Sequence, residues 1–194
     1  LTPTDVTEVY NGEAHAAGIA TASAKKAEAN LDGVKIEYQK ADGTWTESPA
    51  EITATNVADS TTIKVRVTSE KYTGKLEGTE ELTITARPVT VTANSCQKTF
   101  GTADPEFTAK VEGTLGNDKV DYKLSREKGE NVGTYTITPT GDEKQGNYTV
   151  TYKQGSLTIV ATPDNPRPNN PTRPSGQTTE PTGNAFVDNV VTPV

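Results

Sequence analysis

Residues 131–161 read NVGTYTITPTGDEKQGNYTVTYKQGSLTIVA and carry the clearest strand pattern in the chain. Two segments, residues 134–138 and residues 148–152, alternate apolar and hydroxyl side chains with a period of two. This alternation is typical of half-buried β-strands, and the polar residues between the segments predict that the two strands are partners. A Gln-Gly-Ser turn then leads into a third strand at residues 157–160. The pattern predicts a small β-domain that closes at this point.

The alternation also predicts which side chains face the core. Tyr135 and Ile137 are expected on one face of the first strand, and Tyr148, Val150 and Tyr152 on one face of its partner. Threonine fills most of the positions between them, which suits the solvent side of a strand.

A weaker copy of this ending lies 75 residues upstream. Asn56-Val57 matches Asn131-Val132, and residues 82–84 match residues 157–159 at the same offset. The repeat predicts two related β-modules in tandem.

Composition favours small β-domains. The chain has 194 residues, of which 31% are hydrophobic, and much of that fraction is alanine. This length allows one large or two small domains, and the low apolar content favours several thin cores. There is no methionine, so we expect a processed or excised protein whose signal peptide lies outside the sequence. No apolar run approaches the length of a membrane span.

The charge pattern argues against some partners. The formal net charge is −7, spread along the chain without a basic patch or stripe. Nucleic-acid binding is therefore not expected, because it needs clustered Lys and Arg. The single cysteine, Cys96, cannot form an intramolecular disulfide, and we interpret it as a buried or half-buried thiol on a strand.

The rest of the chain carries further strand signals. The Ala-rich residues 14–30 lack an apolar stripe, so we expect irregular structure or weak strand there, with helical propensity at residues 22–29. The chain is therefore predicted to be all-β, with each module either an immunoglobulin-like sandwich or a grasp-type sheet with one short helix. Strands are predicted at residues 9–10, 34–38, 44–46, 62–68, 82–85, 89–93, 107–111 and 120–124.

Module boundaries follow from proline. Arg87-Pro88 separates a first module, residues 1–86, from a second, residues 87–161, with almost no linker, so we expect an elongated, end-to-end arrangement. Residues 162–194 hold seven of the twelve prolines and read as an extended linker or tail. Residues 185–191 regain strand propensity, which predicts the start of another module or a strand added to a sheet edge.

The second module resembles a known family in several spaced elements. They are Phe100-Gly101-Thr102, Asp104-Pro105, residues 131–135 and residues 147–159. The MBG domains of the YGX type share this order: an aromatic-Gly-x turn, Asp-Pro, an Asn-Val-Gly-Thr-Tyr strand and a closing Asn-Tyr-x-Val…Gly-x-Leu-Thr-Ile. The resemblance covers residues 86–161.

The first module is similar to the companion repeats of these proteins, which carry a Tyr-Asn/Asp-Gly turn. The matching elements are residues 10–12, Tyr38, the turn at residues 42–43 and Trp45. The module departs from the pattern by its Ala-rich insert and by Ala-Asp-Ser at residues 58–60, where the family has Gly-Thr-Tyr.

The resemblance implies a segment of a large secreted or wall-attached bacterial surface protein, with a Gram-positive source expected. Such a segment is a stalk, spacer or adhesin part, and it brings no catalytic residues and no cofactor. The partners implied are neighbouring repeats of the same chain and a host glycan or protein. The segment itself is expected to be a monomer.

Trp45 is the one predicted ligand contact. It follows the Asp42-Gly43 turn, where an exposed ring could stack on a sugar. A sole Trp in a small β-domain is more often a core anchor, and the sequence leaves both interpretations open.

Metal and catalytic sites are not predicted. His15 is the only histidine and lies in a predicted loop, so it cannot build a metal site or a triad by itself. The turn carboxylates lack the spacing of a calcium loop and suit bonding to turn backbones, although a Ca²⁺ held by several of them remains an alternative. These carboxylates are Asp42, Asp104, Glu106, Asp142 and Glu143.

Two sequence features bear on covalent modification. Some Gram-positive surface modules carry a buried Lys–Asn cross-link, for which Lys35 with Asn56 and Lys110 with Asn131 are candidate pairs. Residues 147–149 match a glycosylation sequon, which we interpret as accidental in a bacterial surface protein.

Two functions remain as predictions, and a third is weaker. The first is a non-enzymatic spacer that holds a functional domain away from the cell wall. The alternative is a module that binds host glycan or protein through Trp45 or a sheet edge. An accessory region of a larger secreted enzyme is the third, but no convergent titratable pair supports catalysis within these residues.

Overall fold

The computed structural model describes residues 1–23, 31–71 and 76–162. Leu1–Ala161 form one compact unit. The described residues contain no α-helix and two 3-10 helices, at Pro49–Glu51 and Val57–Asp59, which confirms the all-β prediction. The strands are β1 (Val6–Val9), β2 (His15–Ala16), β3 (Val34–Gln39), β4 (Trp45–Thr46), β5 (Thr53–Ala54), β6 (Thr61–Ser69), β7 (Leu76–Thr85), β8 (Arg87–Ala93), β9 (Cys96–Thr99), β10 (Ala109–Glu112), β11 (Lys123–Arg126), β12 (Gly133–Thr140), β13 (Lys144–Gln145), β14 (Tyr148–Lys153) and β15 (Gly155–Val160).

The N-terminal half, residues 1–85, is built on a five-stranded sheet in the order β1-β7-β6-β3-β4. In it β1 runs parallel to β7 and the other neighbours are antiparallel. The alternation in residues 62–68 predicts that Ile63, Val65 and Val67 face the core; Ile63 and Val65 are buried, whereas Val67 is half-buried. The short pair of β2 with β5 lies outside this sheet. The core cluster consists of Ala17, Ala20, Tyr38, Ala54, Ile63, Val65, Leu82 and Ile84.

The C-terminal half, residues 87–160, has two four-stranded sheets. Their orders are β10-β8-β14-β13 and β11-β12-β15-β9. Each sheet has its own apolar cluster: Val89, Val91, Tyr148 and Val150 belong to the first, whereas Ile137 and two residues of β15 belong to the second. No strand of the described residues pairs across residue 86.

One strand pairing differs from the sequence prediction. Residues 134–138 and 148–152 are not partners, because β12 pairs with β11 and β15, whereas β14 pairs with β8 and β13. The polar residues between them form the short β13–β14 hairpin and carry the chain from one sheet to the other. The inward faces are as predicted, with Ile137, Tyr148 and Val150 buried.

Two parallel strand pairs of this half, β8 with β14 and β9 with β15, lie in different sheets but keep one register. Arg87 lies opposite Tyr148 at one end and Cys96 opposite Leu157 further along, so the partner is always 61 positions later. The paired strands bend between the sheets where Ser156 donates its backbone N–H to the Ser95 hydroxyl at 3.0 Å. Only glycine fits beside the bend at position 155, since a Cβ there would lie 2.4 Å from the carbonyl oxygen of Ala93.

The two halves share a strand order, which agrees with the sequence repeat. In the N-terminal half it is β1-β7-β6-β3, and in the C-terminal half β9-β15-β12-β11. In each half the last strand, β7 or β15, pairs in parallel with a strand from earlier in that half, β1 or β9. The corresponding backbone bonds also match: Tyr10 donates to the carbonyl of Thr85, and Phe100 to that of Val160.

Smaller differences concern element positions. The predicted strands at residues 107–111 and 120–124 are observed as β10 and β11, two or three residues later. His15 lies in the short strand β2 rather than in a loop. The predicted helical turn at residues 22–29 falls mostly outside the described residues, as do residues 185–191 and the rest of the predicted tail.

A buried carboxyl interrupts the N-terminal core. Glu80 on β7 is 1% exposed; one of its oxygens accepts the backbone N–H of Thr4 at 3.3 Å, and the other has no partner among the described residues. Burial raises the pKa of Glu80, the Thr4 N–H opposes this, and the neighbouring Asp5 carboxylate raises it further. Ionised Glu80 is therefore a destabilising element of the fold.

Replacing Glu80 with Gln is expected to flatten the pH dependence of stability. A carboxyl with a raised folded-state pKa contributes its full stability below its unfolded pKa of about 4.3 and loses it as the pH rises through the folded value. Urea unfolding midpoints at about pH 5 and about pH 7.5 would measure this loss. Equal slopes for the wild type and Glu80→Gln would contradict the assignment.

Candidate functional site

Trp45 lies on the outer face of the five-stranded sheet. It sits opposite Gln39, whereas its neighbour Thr46 sits opposite Tyr38, whose ring is in the core. Because alternate residues of a strand face opposite sides, Trp45 and Gln39 point away from the core. Trp45 is half-buried and absent from the core cluster. The core-anchor interpretation is therefore wrong.

An arginine holds the Trp45 ring in place. The Arg66 guanidinium carbon lies 3.9 Å from the ring centroid, and its Nε donates to Glu37 Oε2 at 2.9 Å. The Thr68 hydroxyl donates to the same oxygen at 3.1 Å. The hydrogen bond from Arg66 contributes most to lowering the pKa of Glu37. The ring is thus fixed by a cation–π contact whose cation is itself anchored.

A 460 Å³ pocket adjoins this ring on the same face of the sheet. An aromatic ring beside amide, ammonium, hydroxyl and carboxylate groups can stack on a ligand and bond to its polar atoms. We call this surface the Trp45 face. Its pocket is lined by Gln39, Trp45, Lys64, Val65, Glu77, Gly78 and Thr79.

A larger pocket of 840 Å³ lies in the C-terminal half beside the edge strands β11 and β13. Lys119, Lys123 and Lys144 line it together with Asp121 and Asp142. Lysines on edge strands discourage pairing with other chains. Protection of these sheet edges therefore accounts for the charged residues that line the pocket, and no ligand is needed to explain them.

The two halves meet at a side-chain junction. The rings of Tyr10 and Tyr148 pack edge to face, with centroids 5.6 Å apart. Tyr10 packs against apolar clusters in both halves. The Tyr148 hydroxyl donates to Asp118 Oδ2 at 2.5 Å and accepts the backbone N–H of Leu115 at 3.1 Å, which fixes the ring. The contact joins two cores through one aromatic pair.

Asn147 completes the junction by bonding in both directions. Its side-chain amide donates to Asn56 Oδ1 at 2.8 Å and accepts the backbone N–H of Val57 at 2.9 Å. Its backbone carbonyl accepts the N–H of Arg87 at 2.8 Å. Only Ala86 separates the flanking strands β7 and β8. We call the contacts of Tyr10, Asn56, Asn147 and Tyr148 the junction.

A four-residue ion network occupies the other end of the C-terminal half. Lys98 Nζ, whose side chain is 4% exposed, lies 2.6 Å from Asp104 Oδ1 and 2.5 Å from Glu130 Oε2. Arg126 bonds the same two carboxylates, with its Nε 2.7 Å from Asp104 Oδ2. The network connects β9, β11 and the two loops that carry the acids.

The electrostatics of the network favour the charged forms. Hydrogen bonds from Arg126 and then Lys98 lower the pKa of Asp104 to about 2. Asp104 and Glu130 raise the pKa values of both Lys98 and Arg126, and the two cations lower that of Glu130. Lys98 is therefore a protonated structural cation and not a nucleophile.

Other predicted positions do not assemble into a site. Among the described residues no group of three or more His, Cys, Asp or Glu side chains could hold a metal ion. Lys35 and Lys110 are exposed and paired with Glu47 and Glu112, so neither has the buried setting that a cross-link needs. His15 Nε2 lies 3.0 Å from Asn11 Oδ1.

Neither the lone cysteine nor an apolar helix adds a functional feature to the described residues. Cys96 is half-buried on β9, as predicted, and burial raises the pKa of its thiol, with Asp104 raising it further. A raised pKa leaves the thiol protonated and unreactive. No helix in the described part of the chain is long and apolar enough to cross a membrane.

Comparison with protein families identifies the C-terminal half. The family model of the MBG domain (YGX type) matches residues 89–158. These residues form an MBG domain of the YGX type. Its Asp104-Pro105 element supplies an acid of the ion network, and its closing Asn-Tyr element supplies the junction.

Solved structures give weaker likenesses. The titin I-band fragment I67-I69 has 12% identity and a TM-score of 0.34, and the match covers 82% of this chain and 62% of the fragment. The titin domains z1z2 in complex with telethonin have 14% identity, a TM-score of 0.38, and 83% and 93% coverage. Extracellular domains 3–5 of Drosophila OTK have 13% identity, a TM-score of 0.29, and 84% and 65% coverage. No curated protein sequence matches the chain.

Sequence reasoning missed the ion network and the junction. Lys98 takes an inward position of β9, and a charged residue in phase with apolar positions was the available signal for a buried ion pair. The sequence identifies Asp104 as a turn residue, an element of the family motif and an alternative Ca²⁺ ligand, but not as a partner of Lys98. The junction gave no signal, because Asn56 and Asn147 are far apart in the sequence.

Replacing Asp104 with Asn is expected to lower stability at neutral pH and to have less effect in acid. A lowered folded-state pKa adds stability above the unfolded pKa of about 3.9, and this is lost as the pH falls through about 2. Unfolding midpoints of wild type and variant should therefore converge towards acid pH. Glu106→Gln, in the same loop, is the control and should leave the midpoint unchanged; the reverse ranking would contradict the prediction.

Proposed function

We propose that this chain is a non-enzymatic spacer of a secreted or wall-attached bacterial surface protein. Residues 1–86 and 87–161 would be two β-modules in tandem, followed by a Pro-rich linker at residues 162–194. The family match supports a surface-protein β-module, and the acidic balance of −7 suits a soluble extracellular segment. A Gram-positive source and a monomeric state belong to this proposal.

The junction is the observation that carries the spacer function. A spacer must resist bending between its modules, and a one-residue connection with few side-chain contacts would leave a hinge. Here Asn147 bonds to both Asn56 and Val57, and the Tyr10–Tyr148 pair adds an apolar contact. These contacts restrict both bending and rotation at Ala86.

The outer end of the MBG domain repeats the features of the junction. Phe100 and Val132 take the places that Tyr10 and Val57 hold in the N-terminal half, but they are 47% and 58% exposed. A terminal repeat usually carries a polar outer face. The exposed apolar residues at this end therefore support the proposal that the chain belongs to a tandem series of modules, in which such a surface packs against a neighbouring module.

Replacing Asn147 with Ala is expected to loosen the junction without unfolding either half. The change removes two side-chain hydrogen bonds, each worth about 1 kcal/mol, and leaves the backbone ladder intact. NMR relaxation would then give different rotational correlation times for the two halves, and small-angle scattering a broader distance distribution. Asn131→Ala is the matched control, because Asn131 is the repeat counterpart of Asn56 at the exposed end. The spacer proposal is contradicted if the wild-type halves already tumble independently.

A second candidate function rests on the Trp45 face. A ring fixed by Arg66 and bordered by Gln39, Lys64 and Glu77 has the composition of a sugar-binding surface. We propose host glycan as its ligand, with protein contact as the alternative partner. The spacer and the binding surface are compatible on one chain.

Replacing Trp45 with Ala is expected to abolish glycan binding if this surface is a sugar site. Isothermal titration with neutral hexasaccharides, cellohexaose and N-acetylchitohexaose, would measure the loss. Phe100→Ala removes an exposed aromatic from the other half and serves as the control. Equal affinity in both variants would place the contact elsewhere.

A further inference from the structure

The MBG domain, with its flanking residues, makes up the C-terminal half, residues 87–160, and the ends of this half lie at opposite ends of two parallel strand pairs that share one register. The chain reaches this half at Arg87, the first residue of β8, and leaves it at Val160, the last residue of β15. Residues 87–99 and 148–160 share one parallel register. Tension along the chain therefore pulls the two strands in opposite directions along their lengths.

Parallel orientation decides how that tension acts on hydrogen bonds. In an antiparallel pair of terminal strands both chain ends lie at the same end, so force breaks the ladder one bond at a time. In a parallel pair the force is parallel to the strands and all bonds carry it together. A shear-loaded ladder must break cooperatively, which raises the barrier to forced unfolding.

The two halves differ in the length of this ladder. In the N-terminal half the pair of β1 with β7 has four paired positions, Val6–Val9 with Leu82–Thr85. In the MBG domain the pair has six positions between β8 and β14 and four more between β9 and β15. Both halves are loaded in shear, but the second has the longer ladder.

Contacts outside the ladder reinforce the loaded ends of the MBG domain. At the N-terminal end the backbone N–H of Arg87 donates to the carbonyl of Asn147, and at the exit Phe100 donates to Val160. The buried Lys98 of β9 is tied to Asp104 and Glu130 near that exit. Slip of β9 along β15 would have to break these charged contacts as well.

We propose that the parallel pair of residues 87–99 with 148–160 is a force-bearing clamp, and that the N-terminal half is the weaker element that yields first under tension. The proposal rests on the spacer function and adds to it a graded response to load. Under moderate force the N-terminal half unfolds and lengthens the chain, while the MBG domain stays folded.

Single-molecule force spectroscopy on the full chain, held at its two ends, tests this order. Two unfolding events are expected, with the N-terminal half at the lower force. An insertion of about ten Gly/Ser residues after Gly116 lengthens the MBG event by roughly 35 Å and identifies it. If the lengthened event occurs first, the proposal is overturned.

A proline in the clamp should lower the force of the MBG event. Thr151 is exposed on β14. The backbone N–H of Val150 donates to the carbonyl of Glu143, on the β13 side of the strand. Successive N–H groups of a strand point to opposite sides, so the N–H of Thr151 points to β8. Thr151→Pro therefore removes one clamp bond and no core contact. Ser125→Pro is the matched control, because it removes one hydrogen bond from the β11–β12 ladder, which lies outside the clamp. The backbone N–H of Glu127 donates to Thr136 of β12, and the N–H of Ser125, two residues earlier, points to the same side. Equal forces in the two variants would overturn the proposal.

A change of loading direction tests the clamp without altering the ladder. Handles on Thr102→Cys and Thr162→Cys, with Cys96→Ser to remove the native thiol, pull the MBG domain from the same end of the strand pair. The ladder is then peeled, and the unfolding force should fall below the end-to-end value. No difference between the two directions overturns the clamp, whereas the Asn147→Ala relaxation experiment judges the spacer function separately.

Discussion

The parallel pairing of residues 87–99 with 148–160 is the constraint on which the C-terminal half depends. One register, with partners 61 positions apart, runs through both four-stranded sheets. Every other strand of this half attaches to β8, β14, β9 or β15 directly or through one neighbour. Because the pair bends at Ser95 and Gly155, it also sets the relation between the sheets. A slip by one residue would turn the buried Val89, Val91 and Leu157 outward.

The same strand order occurs in both halves, but the surroundings differ in ways that matter for function. The N-terminal half exposes the outer face of its sheet, where Arg66 and Trp45 pack together. In the C-terminal half the charged side chains of the ion network bond to one another and not to a ligand surface. The Asn147-Tyr148 element serves two purposes, since it begins β14 and makes the junction.

Two buried ionisable groups show opposite solutions to one physical problem. Lys98 has two carboxylates at hydrogen-bond distance, so its charge is retained. Glu80 has one backbone N–H and a second oxygen without a partner among the described residues, so burial works against its charge. A buried charge is tolerated when several partners replace water and is costly otherwise.

Sequence alone determined the all-β class, the MBG family of the second half and the inward faces of Ile63, Val65, Ile137, Tyr148 and Val150. These follow from alternation and spaced motifs, which are local properties of the chain. Only the tertiary structure decided which strands pair, and it separated β12 from β14. It also decided that Trp45 lies on the outer face of its sheet and that Asn56 and Asn147 are hydrogen-bonded. Such contacts join residues far apart in sequence, and their energies depend on burial and partners that no local pattern specifies.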